Sequence, residues 1–209
     1  MFTTISCRDF ATELASDKPV PGGGGTAAYV AALGTALNTM VANFSLKNKK
    51  LTVHKEQHQD LIKRGNILRE RLVELIDKDA ELFEPLSKAF KLPSDTDEEI
   101  KYKDEVLQEN LKLACIPPME ILELSYDAVV LHKEIEDISS DNIISDIAVG
   151  VQCLKAALNS AYINVLININ SITDVEYVSA QKEKAEKILA DGTRLADEVY
   201  DKVLNKLTN

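Results

Sequence analysis

The chain has 209 residues, 45% of them hydrophobic, which fits one domain whose core is large enough to need no disulfides or metal ions. Its formal net charge of −10 disfavours a nucleic-acid partner, because phosphate backbones are bound by clustered Lys and Arg side chains. The sequence shows neither an apolar signal-peptide core nor about 18 consecutive uncharged apolar residues, so we expect no membrane partner and a cytoplasmic location.

Apolar residues recur at helical spacing along nearly the whole chain, and no series of alternating segments suggests strands. We therefore predict an all-α fold, an antiparallel up-and-down bundle of long helices that forms a single domain over residues 1–209. The first predicted helices cover about residues 4–16, 24–46, 51–91, 97–115 and 118–138. The last two begin after Asp141 or Asn142 and after Asp174, whose side chains can cap a helix N-terminus.

The first candidate site is a run of four glycines between Pro21 and Thr26, directly before the second predicted helix. Consecutive glycines cost conformational entropy on folding that a simple turn would not require. They let a ligand approach the free N–H groups of a helix start, which can bind an anion or a carbonyl oxygen. The alternative is a flexible turn with close helix packing; a nucleotide phosphate is disfavoured, because the phosphate-loop lysine and a preceding strand are absent. The candidate binding residues are Pro21, Gly22, Gly23, Gly24, Gly25 and Thr26.

The second candidate is Asp79, which occupies an inward position between Leu75 and Leu82 on the third predicted helix. A charge buried without a partner costs several kcal/mol, so such a carboxylate finds a donor, becomes protonated or acts on a ligand. The alternative is an ion pair or a capping contact beneath a loop. Asp77, two positions away, is expected to point elsewhere as a solvated or hinge residue.

The third candidate is the start of the sixth predicted helix, where Asn142, Ser145 and Asp146 crowd polar groups into the first turns. Ordinary capping explains part of this pattern, but a carboxylate close to Asp79 could also form an acid/base pair. Asn164 and Asn168 share a face further along the same helix. Their amides could satisfy each other across the bundle or hydrogen-bond a heterocycle.

Histidine and cysteine residues provide weaker signals. His54 and His58 have the spacing of two metal ligands, but no third ligand is evident and their neighbours suggest a solvated face, so we predict no metal site. The three separated cysteines, Cys7, Cys115 and Cys153, match no disulfide or zinc pattern and are expected to be core residues.

Taken together, these motifs resemble the formiminotransferase-cyclodeaminase family, in particular its cyclodeaminase domain and the free-standing methenyltetrahydrofolate cyclohydrolases. The resemblance rests on KPVPGGGGT at residues 18–26, IDKDAELF at 76–83, NIISDIAV at 142–149 and INVLININ at 163–170. Thr26 matches the family's usual small residue after the glycines, whereas Leu82 stands where alanine is common. The matching segments extend over nearly the whole chain.

The resemblance implies an all-helical homodimer that acts on the one-carbon unit between N5 and N10 of tetrahydrofolate, with no cofactor beyond this substrate. Cyclodeaminases form 5,10-methenyltetrahydrofolate and ammonia from 5-formiminotetrahydrofolate, whereas cyclohydrolases add water to the methenyl bridge. Asp79 is then expected to be the general acid/base, with Asp146 as a pterin anchor or second proton carrier. We favour the cyclodeaminase. The alternative is a 5,10-methenyltetrahydrofolate cyclohydrolase that uses the same pocket, and a non-catalytic folate-binding protein or a structural helical dimer are further alternatives.

Overall fold

Seven α-helices and three short 3-10 helices account for nearly all of the chain in the computed structural model, which describes residues 1–209. The all-α prediction is confirmed. The α-helices are α1 (Cys7–Leu14), α2 (Gly23–Leu46), α3 (Lys55–Ala89), α4 (Asp97–Ala114), α5 (Ile116–Ile135), α6 (Ile144–Ile169) and α7 (Val175–Thr208). None of them combines the length and apolar character needed to cross a membrane.

The long helices form two layers. Helices α3, α2, α6 and α7 lie side by side in that order, α5 packs across all four, and α4 packs mainly against α3. Helices α2 and α6 are antiparallel, because Gly23 lies beside Asn164 while Gly34 lies beside Gly150. The start of α2 is therefore close to the C-terminal half of α6.

Small residues allow α2 and α6 to approach closely. A methyl group on Gly34 would lie 2.9 Å from the Gly150 carbonyl oxygen and 2.9 Å from the Leu154 side chain. The inner face of α2 is built largely from buried alanines, among them Ala27, Ala28 and Ala31. Close backbone contact of this kind places the first turn of α2 firmly against its neighbours.

Helix ends depart from the predictions in three places. The predicted opening helix is divided into a 3-10 turn, Phe2–Thr4, and the shorter α1. Asp141 and Asn142 do not cap α6; they belong to the 3-10 helix Asp141–Ile143, and no side chain caps α6. Helix α3 begins at Lys55, after the 3-10 helix Lys49–His54, rather than near residue 51.

The predicted cap of α7 is confirmed, because the Asp174 side chain accepts a hydrogen bond from the Tyr177 N–H at 3.0 Å. A capping box at α4 was missed. Thr96 accepts from the Glu99 N–H at 3.2 Å, and the Glu99 carboxylate accepts from the Thr96 N–H at 3.1 Å. Both ends of this reciprocal contact satisfy N–H groups that would otherwise lack partners.

Some side chains lie in environments that the sequence analysis did not predict. Cys115 is buried as expected, but Cys7 is exposed and Cys153 is only half-buried. His58 is fully buried, not on a solvated face, and its Nε2 lies 2.9 Å from the Ile138 carbonyl oxygen. Asp77 is neither free nor at a hinge, because it accepts hydrogen bonds from the Phe2 N–H and from the Thr3 hydroxyl.

Candidate active site around Asp79

A cavity of about 320 Å³ lies where the first turn of α2, the C-terminal half of α3 and the C-terminal half of α6 meet. Its lining combines polar groups of α2, α3 and α6 with a few apolar side chains. The lining residues are Pro19, Val20, Gly22, Gly23, Gly24, Asp79, Phe83, Ala114, Pro118, Asn164, Ile167 and Asn168. A larger groove of about 760 Å³ at the end of α7 is lined by charged and amide side chains alone and offers no apolar wall to a heterocycle.

Asp79 is the only ionisable side chain of this cavity. It is half-buried on α3 and forms no ion pair, and the Gly25 N–H donates a 2.9 Å hydrogen bond to its Oδ2 atom. Burial raises the pKa of Asp79 to about 6, although the Gly25 hydrogen bond acts in the opposite direction. The carboxyl group therefore changes protonation state close to neutral pH.

The hydrogen bond from Gly25 is a helix cap supplied by a neighbouring helix, which was one of the structural alternatives for Asp79. Gly25 is the third residue of α2, a position whose N–H has no partner within the helix. The cap occupies only Oδ2, and Oδ1 has no hydrogen-bond partner in the chain. A structural contact therefore orients the carboxylate while leaving one oxygen available.

The glycine run forms the first turn of α2 rather than a flexible turn. Gly22 is the N-cap, and the three glycines after it are helical, none with a positive φ. Space is what requires them: a methyl group on Gly24 would overlap the Asp79 carboxylate, and one on Gly23 would lie 3.2 Å from the Asn164 amide. The N–H groups of Gly23 and Gly24 have no partner in the chain, so both remain available to a ligand.

The flanking predicted residues support this turn without lining the cavity. Pro21 is buried and follows a cis peptide bond. The Thr26 hydroxyl donates to the Gly22 carbonyl oxygen at 2.9 Å, and the Thr26 N–H donates to the same oxygen at 3.1 Å. Thr26 thus closes the first turn of the helix.

Asn164 and Asn168 both reach the cavity, as their shared face predicted. The buried Asn168 donates from Nδ2 to the Ala114 carbonyl oxygen at 2.9 Å, which ties α6 to the end of α4. The half-buried Asn164 donates to the Ser160 carbonyl oxygen of its own helix at 2.8 Å. Neither Oδ1 atom has a partner in the chain, so each can accept a hydrogen bond from a ligand.

The predicted site residues Asn142, Ser145 and Asp146 do not lie at the Asp79 cavity. Asn142 and Ser145 are exposed and Asp146 is half-buried, all at the N-terminal end of α6. Asp146 precedes Asn164 by 18 residues, roughly 27 Å at 1.5 Å per residue along the helix. The proposed pair of Asp79 and Asp146 is therefore not assembled within one chain, and the role of Asp146 stays a prediction.

The apolar lining was not identified from the sequence. Phe83 lies one helical turn after Asp79, and Ile167 lies between the two asparagines, so helical phase could have identified both. Leu82, which departs from the family pattern, does not line the cavity. Val20 and Pro118 come from segments whose position depends on tertiary packing, and local patterns contain no signal for them.

Histidines do not form a metal centre. His54 Nδ1 lies 2.7 Å from the Gln57 amide oxygen, while His58 is buried against Ile138. No group of three His, Cys, Asp or Glu side chains has an arrangement that could hold a metal ion. The polar groups that the chain itself brings to the cavity are Asp79, the free N–H groups and the two amides.

The sequence of the chain is similar to those of known proteins over most of its length. Residues 6–187 match the family described as formiminotransferase-cyclodeaminase, a range that includes every residue of the cavity. The methenyltetrahydrofolate cyclohydrolase of Methylorubrum extorquens is 32% identical over 95% of this chain and 95% of its own length. The formimidoyltransferase-cyclodeaminase of Rattus norvegicus is 30% identical over 89% of this chain, which corresponds to 34% of that protein.

The fold has a solved counterpart. Formiminotetrahydrofolate cyclodeaminase from Thermotoga maritima superposes with a TM-score of 0.82 at 26% identity, over 98% of this chain and 100% of that one. The sequence similarity and the structural similarity thus both extend over almost the full length of the chain. The chain belongs to the formiminotransferase-cyclodeaminase family.

Proposed function

We propose that this chain is an enzyme of folate one-carbon metabolism, a cyclodeaminase that converts 5-formiminotetrahydrofolate into 5,10-methenyltetrahydrofolate and ammonia. The observation that carries the proposal is the Asp79 carboxylate, held beside two free N–H groups in a cavity that also contains apolar side chains. Its pKa of about 6 suits a group that both accepts and returns a proton near neutral pH. The cyclodeaminase from Thermotoga maritima supports this choice of reaction.

One carboxylate is sufficient for the proton transfers. The formimino group reacts in its protonated form, N5–CH=NH2⁺. N10 of the folate attacks its carbon, and Asp79 accepts the proton that N10 loses as the new C–N bond forms. Asp79 then returns this proton to the amino group of the tetrahedral intermediate, the bond between carbon and that nitrogen breaks, ammonia leaves, and the positive charge stays on the methenyl bridge. The carboxylate is regenerated, which is what general acid/base catalysis requires.

The other cavity residues would position the substrate. The Gly23 and Gly24 N–H groups are donors for an acceptor atom of the folate, and the Asn164 and Asn168 oxygens are acceptors for pterin N–H groups. Phe83 and the other apolar lining residues offer a surface for the planar ring. We assign no cofactor beyond the folate itself.

A cyclohydrolase is the second candidate, because the relative matched over 95% of both chains is a methenyltetrahydrofolate cyclohydrolase. In that reaction Asp79 would remove a proton from water as it adds to the methenyl carbon, and would then give this proton to the nitrogen that leaves as a C–N bond of the ring opens. The hydroxyl group loses its remaining proton to solvent and becomes the formyl oxygen. The same cavity and the same carboxylate serve both reactions. Substrate choice alone separates them.

The test is to mix the purified protein with 5-formiminotetrahydrofolate and, separately, with 5,10-methenyltetrahydrofolate, following the methenyl absorbance against the uncatalysed rate. Growth of absorbance in the first mixture identifies a cyclodeaminase. Faster loss in the second mixture alone identifies a cyclohydrolase. No change in either contradicts the enzyme and leaves folate binding, measured by calorimetry, or a purely structural dimer.

We further propose that the protein is a homodimer of the cytoplasm. The outer faces of α2 and α6 expose large apolar side chains, including Leu33 and Ile163, that a second subunit would cover. The exposed Cys7 thiol suits a reducing compartment. Sedimentation of the purified chain at micromolar concentration tests the dimer, and a monomer would contradict it.

A further inference from the structure

The outer faces of α2 and α6 are unlike the rest of the surface. Charged residues make up 28% of the chain, yet α2 contains none in 24 residues. Helix α6 contains only Asp146 and Lys155, and Lys155 pairs with Asp197 of α7 at 2.6 Å. The outward side chains include Leu33, which is 48% exposed, and Ile167, which is 64% exposed.

Helices that are apolar on all sides are normally buried on all sides. Helix α5 covers α2 and α6 on one face of the layer, and no element of the chain covers the other. In a chain with a net charge of −10, a face almost free of charge is one on which two copies meet without bringing like charges together, and an apolar face is complementary to itself across a two-fold axis. The occupant that we assign to this face is therefore a second subunit.

The pattern on α6 is symmetric about Ala156. Val149 and Ile163 lie seven residues before and after Ala156, and Ser145 and Ile167 lie eleven residues before and after it, all on the outer face. A two-fold axis through Ala156, perpendicular to the helix, makes α6 pack antiparallel against its copy. The small central side chain allows close approach, while Val149 meets the partner's Ile163 and Ile167 meets the partner's Ser145.

Helix α2 is compatible with the same axis. Its outward side chains run at helical spacing from Thr26 to Phe44, with Leu33 near the middle. The adjacent Gly34 contacts Cys153 and Leu154, so Leu33 and Ala156 lie within about one helical turn along the bundle. One axis can thus pair α2 with α2 and α6 with α6.

We propose that this packing completes each Asp79 cavity with the N-terminal end of the other subunit's α6, so that the partner's Asp146 lies at the cavity mouth. Ile167 links the two regions, because it lines the Asp79 cavity and ends the symmetric pattern on α6. Within its own chain Asp146 is half-buried, forms no ion pair or hydrogen bond, and lies too far away to act on Asp79's cavity.

The arrangement gives Asp146 a function in trans. A carboxylate from the partner subunit can accept hydrogen bonds from the amino edge of a pterin or share the proton transfers with Asp79. This role rests on the proposed folate chemistry, whereas the packing itself does not. The two statements are therefore tested separately.

The packing is tested by disulfide crosslinking without any substrate. Val149→Cys and Ile163→Cys are combined in a chain with Cys7→Ser and Cys153→Ser, which removes the two native thiols that are not buried. Within one chain the two positions are 14 residues apart, roughly 21 Å along α6, so they cannot pair with each other. Mild oxidation is expected to give a covalent dimer on a non-reducing gel.

The matched control is Ile100→Cys on α4, which is similarly exposed at 52% but lies away from this face. It is expected to remain largely monomeric on the same gel. Failure of the α6 pair to crosslink, or crosslinking no faster than the control, would overturn the antiparallel packing whether or not the protein acts on folate.

The contribution of Asp146 is tested by mixing subunits. Asp79→Asn and Asp146→Asn homodimers are each expected to lose at least tenfold of the turnover number. After dissociation and random reassociation, mixed dimers contain one site with both native carboxylates, so roughly a quarter of the wild-type activity returns. Full activity of the Asp146→Asn homodimer, or no recovery on mixing, would overturn the role in trans. If the wild type itself turned over neither folate, the proposed function would fail while the crosslinking result would still decide the packing.

Discussion

The Gly25 N–H donates a 2.9 Å hydrogen bond to Oδ2 of Asp79, joining the first turn of α2 to the C-terminal half of α3 across 54 residues of sequence. The contact fixes the carboxylate and lowers its pKa, while burial raises the pKa by a larger amount, to about 6. Because the second oxygen is free, the group is positioned like a structural cap and titrates like a catalytic acid or base.

The pH dependence of turnover should report this balance. If Asp79 acts first as a base, kcat/KM rises with pH as the carboxyl group loses its proton and levels off above its pKa of about 6. The measurement is the initial rate of methenyl formation at low substrate between pH 4.5 and about pH 8, corrected for the uncatalysed reaction. A rate independent of pH over this range would contradict a titrating Asp79.

An added methyl group at Gly24 should be compatible with the fold but should impair activity. Alanine is favoured over glycine inside a helix by about 1 kcal/mol, yet at Gly24 the methyl would overlap the Asp79 carboxylate. We expect Gly24→Ala to lose at least tenfold in kcat/KM while remaining folded by circular dichroism. In the control, Gly22→Ala, the added methyl would meet only the Pro19 carbonyl oxygen at 3.9 Å, so the loss should be much smaller. Equal losses in both variants would argue against the steric explanation.

The two cavity asparagines should separate into a binding residue and a structural one. Asn168→Ala removes a buried hydrogen bond to the Ala114 carbonyl oxygen and should destabilise the fold by about 1–3 kcal/mol. Asn164→Ala loses only a bond within its own helix, so its main effect should be on KM for the folate. Urea unfolding together with steady-state kinetics checks both; the reverse pattern would mean that the structural and binding roles are exchanged.

His132 should make the protein sensitive to acid. The ring is fully buried, Nδ1 donates to the Ala128 carbonyl oxygen at 2.9 Å and Nε2 has no partner, and burial lowers the pKa of His132 to about 4. An unfolded histidine binds a proton below about pH 6.5, so the contribution of His132 to the free energy of unfolding falls as the pH drops from 6.5 to 4, by an amount on the order of 3 kcal/mol. The raised pKa of Asp79 acts in the opposite direction over the same window, so the His132 contribution is read from the difference between the wild type and a His132 variant.

His132→Gln removes this titration and should show a shallower loss of stability over the same pH window. The measurement is urea unfolding at several values between pH 7 and pH 4. His54→Gln is the matched control, because His54 is exposed, and it should follow the wild-type pH dependence. A wild-type slope retained in His132→Gln would assign the acid sensitivity to other groups.

Helical periodicity predicted the class of fold and most helix ends, because a buried face repeats with the pitch of the helix. The same logic selected Asp79, a polar residue at an inward position, and Asp79 lines the cavity. The glycine run was selected because consecutive glycines cost entropy on folding, and Asn164 because amides are dense in an otherwise aliphatic segment. His58 is an exception, because the prediction for it relied on the polarity of its neighbours instead of helical periodicity. Its polar neighbours suggested a solvated face, yet it lies one turn before the buried Leu61 and continues the inward pattern of α3.

Long-range placement was the other limit. Asp146 is of a residue type that is common in active sites, and this suggested a role in the site. A local sequence pattern does not show which end of α6 lies beside the first turn of α2. That choice depends on the antiparallel packing of the two helices and, in our proposal, on a second subunit. Asp141 and Asn142 were assigned as caps on residue type alone, whereas the chain enters α6 through a 3-10 turn.

The most direct test of the account is the rate of methenyl formation from 5-formiminotetrahydrofolate by the wild type and by Asp79→Asn under identical conditions. Asparagine keeps the size of the side chain and an oxygen that can accept a hydrogen bond from the Gly25 N–H. It neither accepts nor releases a proton near neutral pH, so it cannot act as a general acid or base. We predict clear catalysis by the wild type and a loss of about 10²–10⁴-fold in kcat for the variant, with folate binding retained. Wild-type turnover in a folded Asp79→Asn protein would contradict the assignment of the chemistry to this carboxylate.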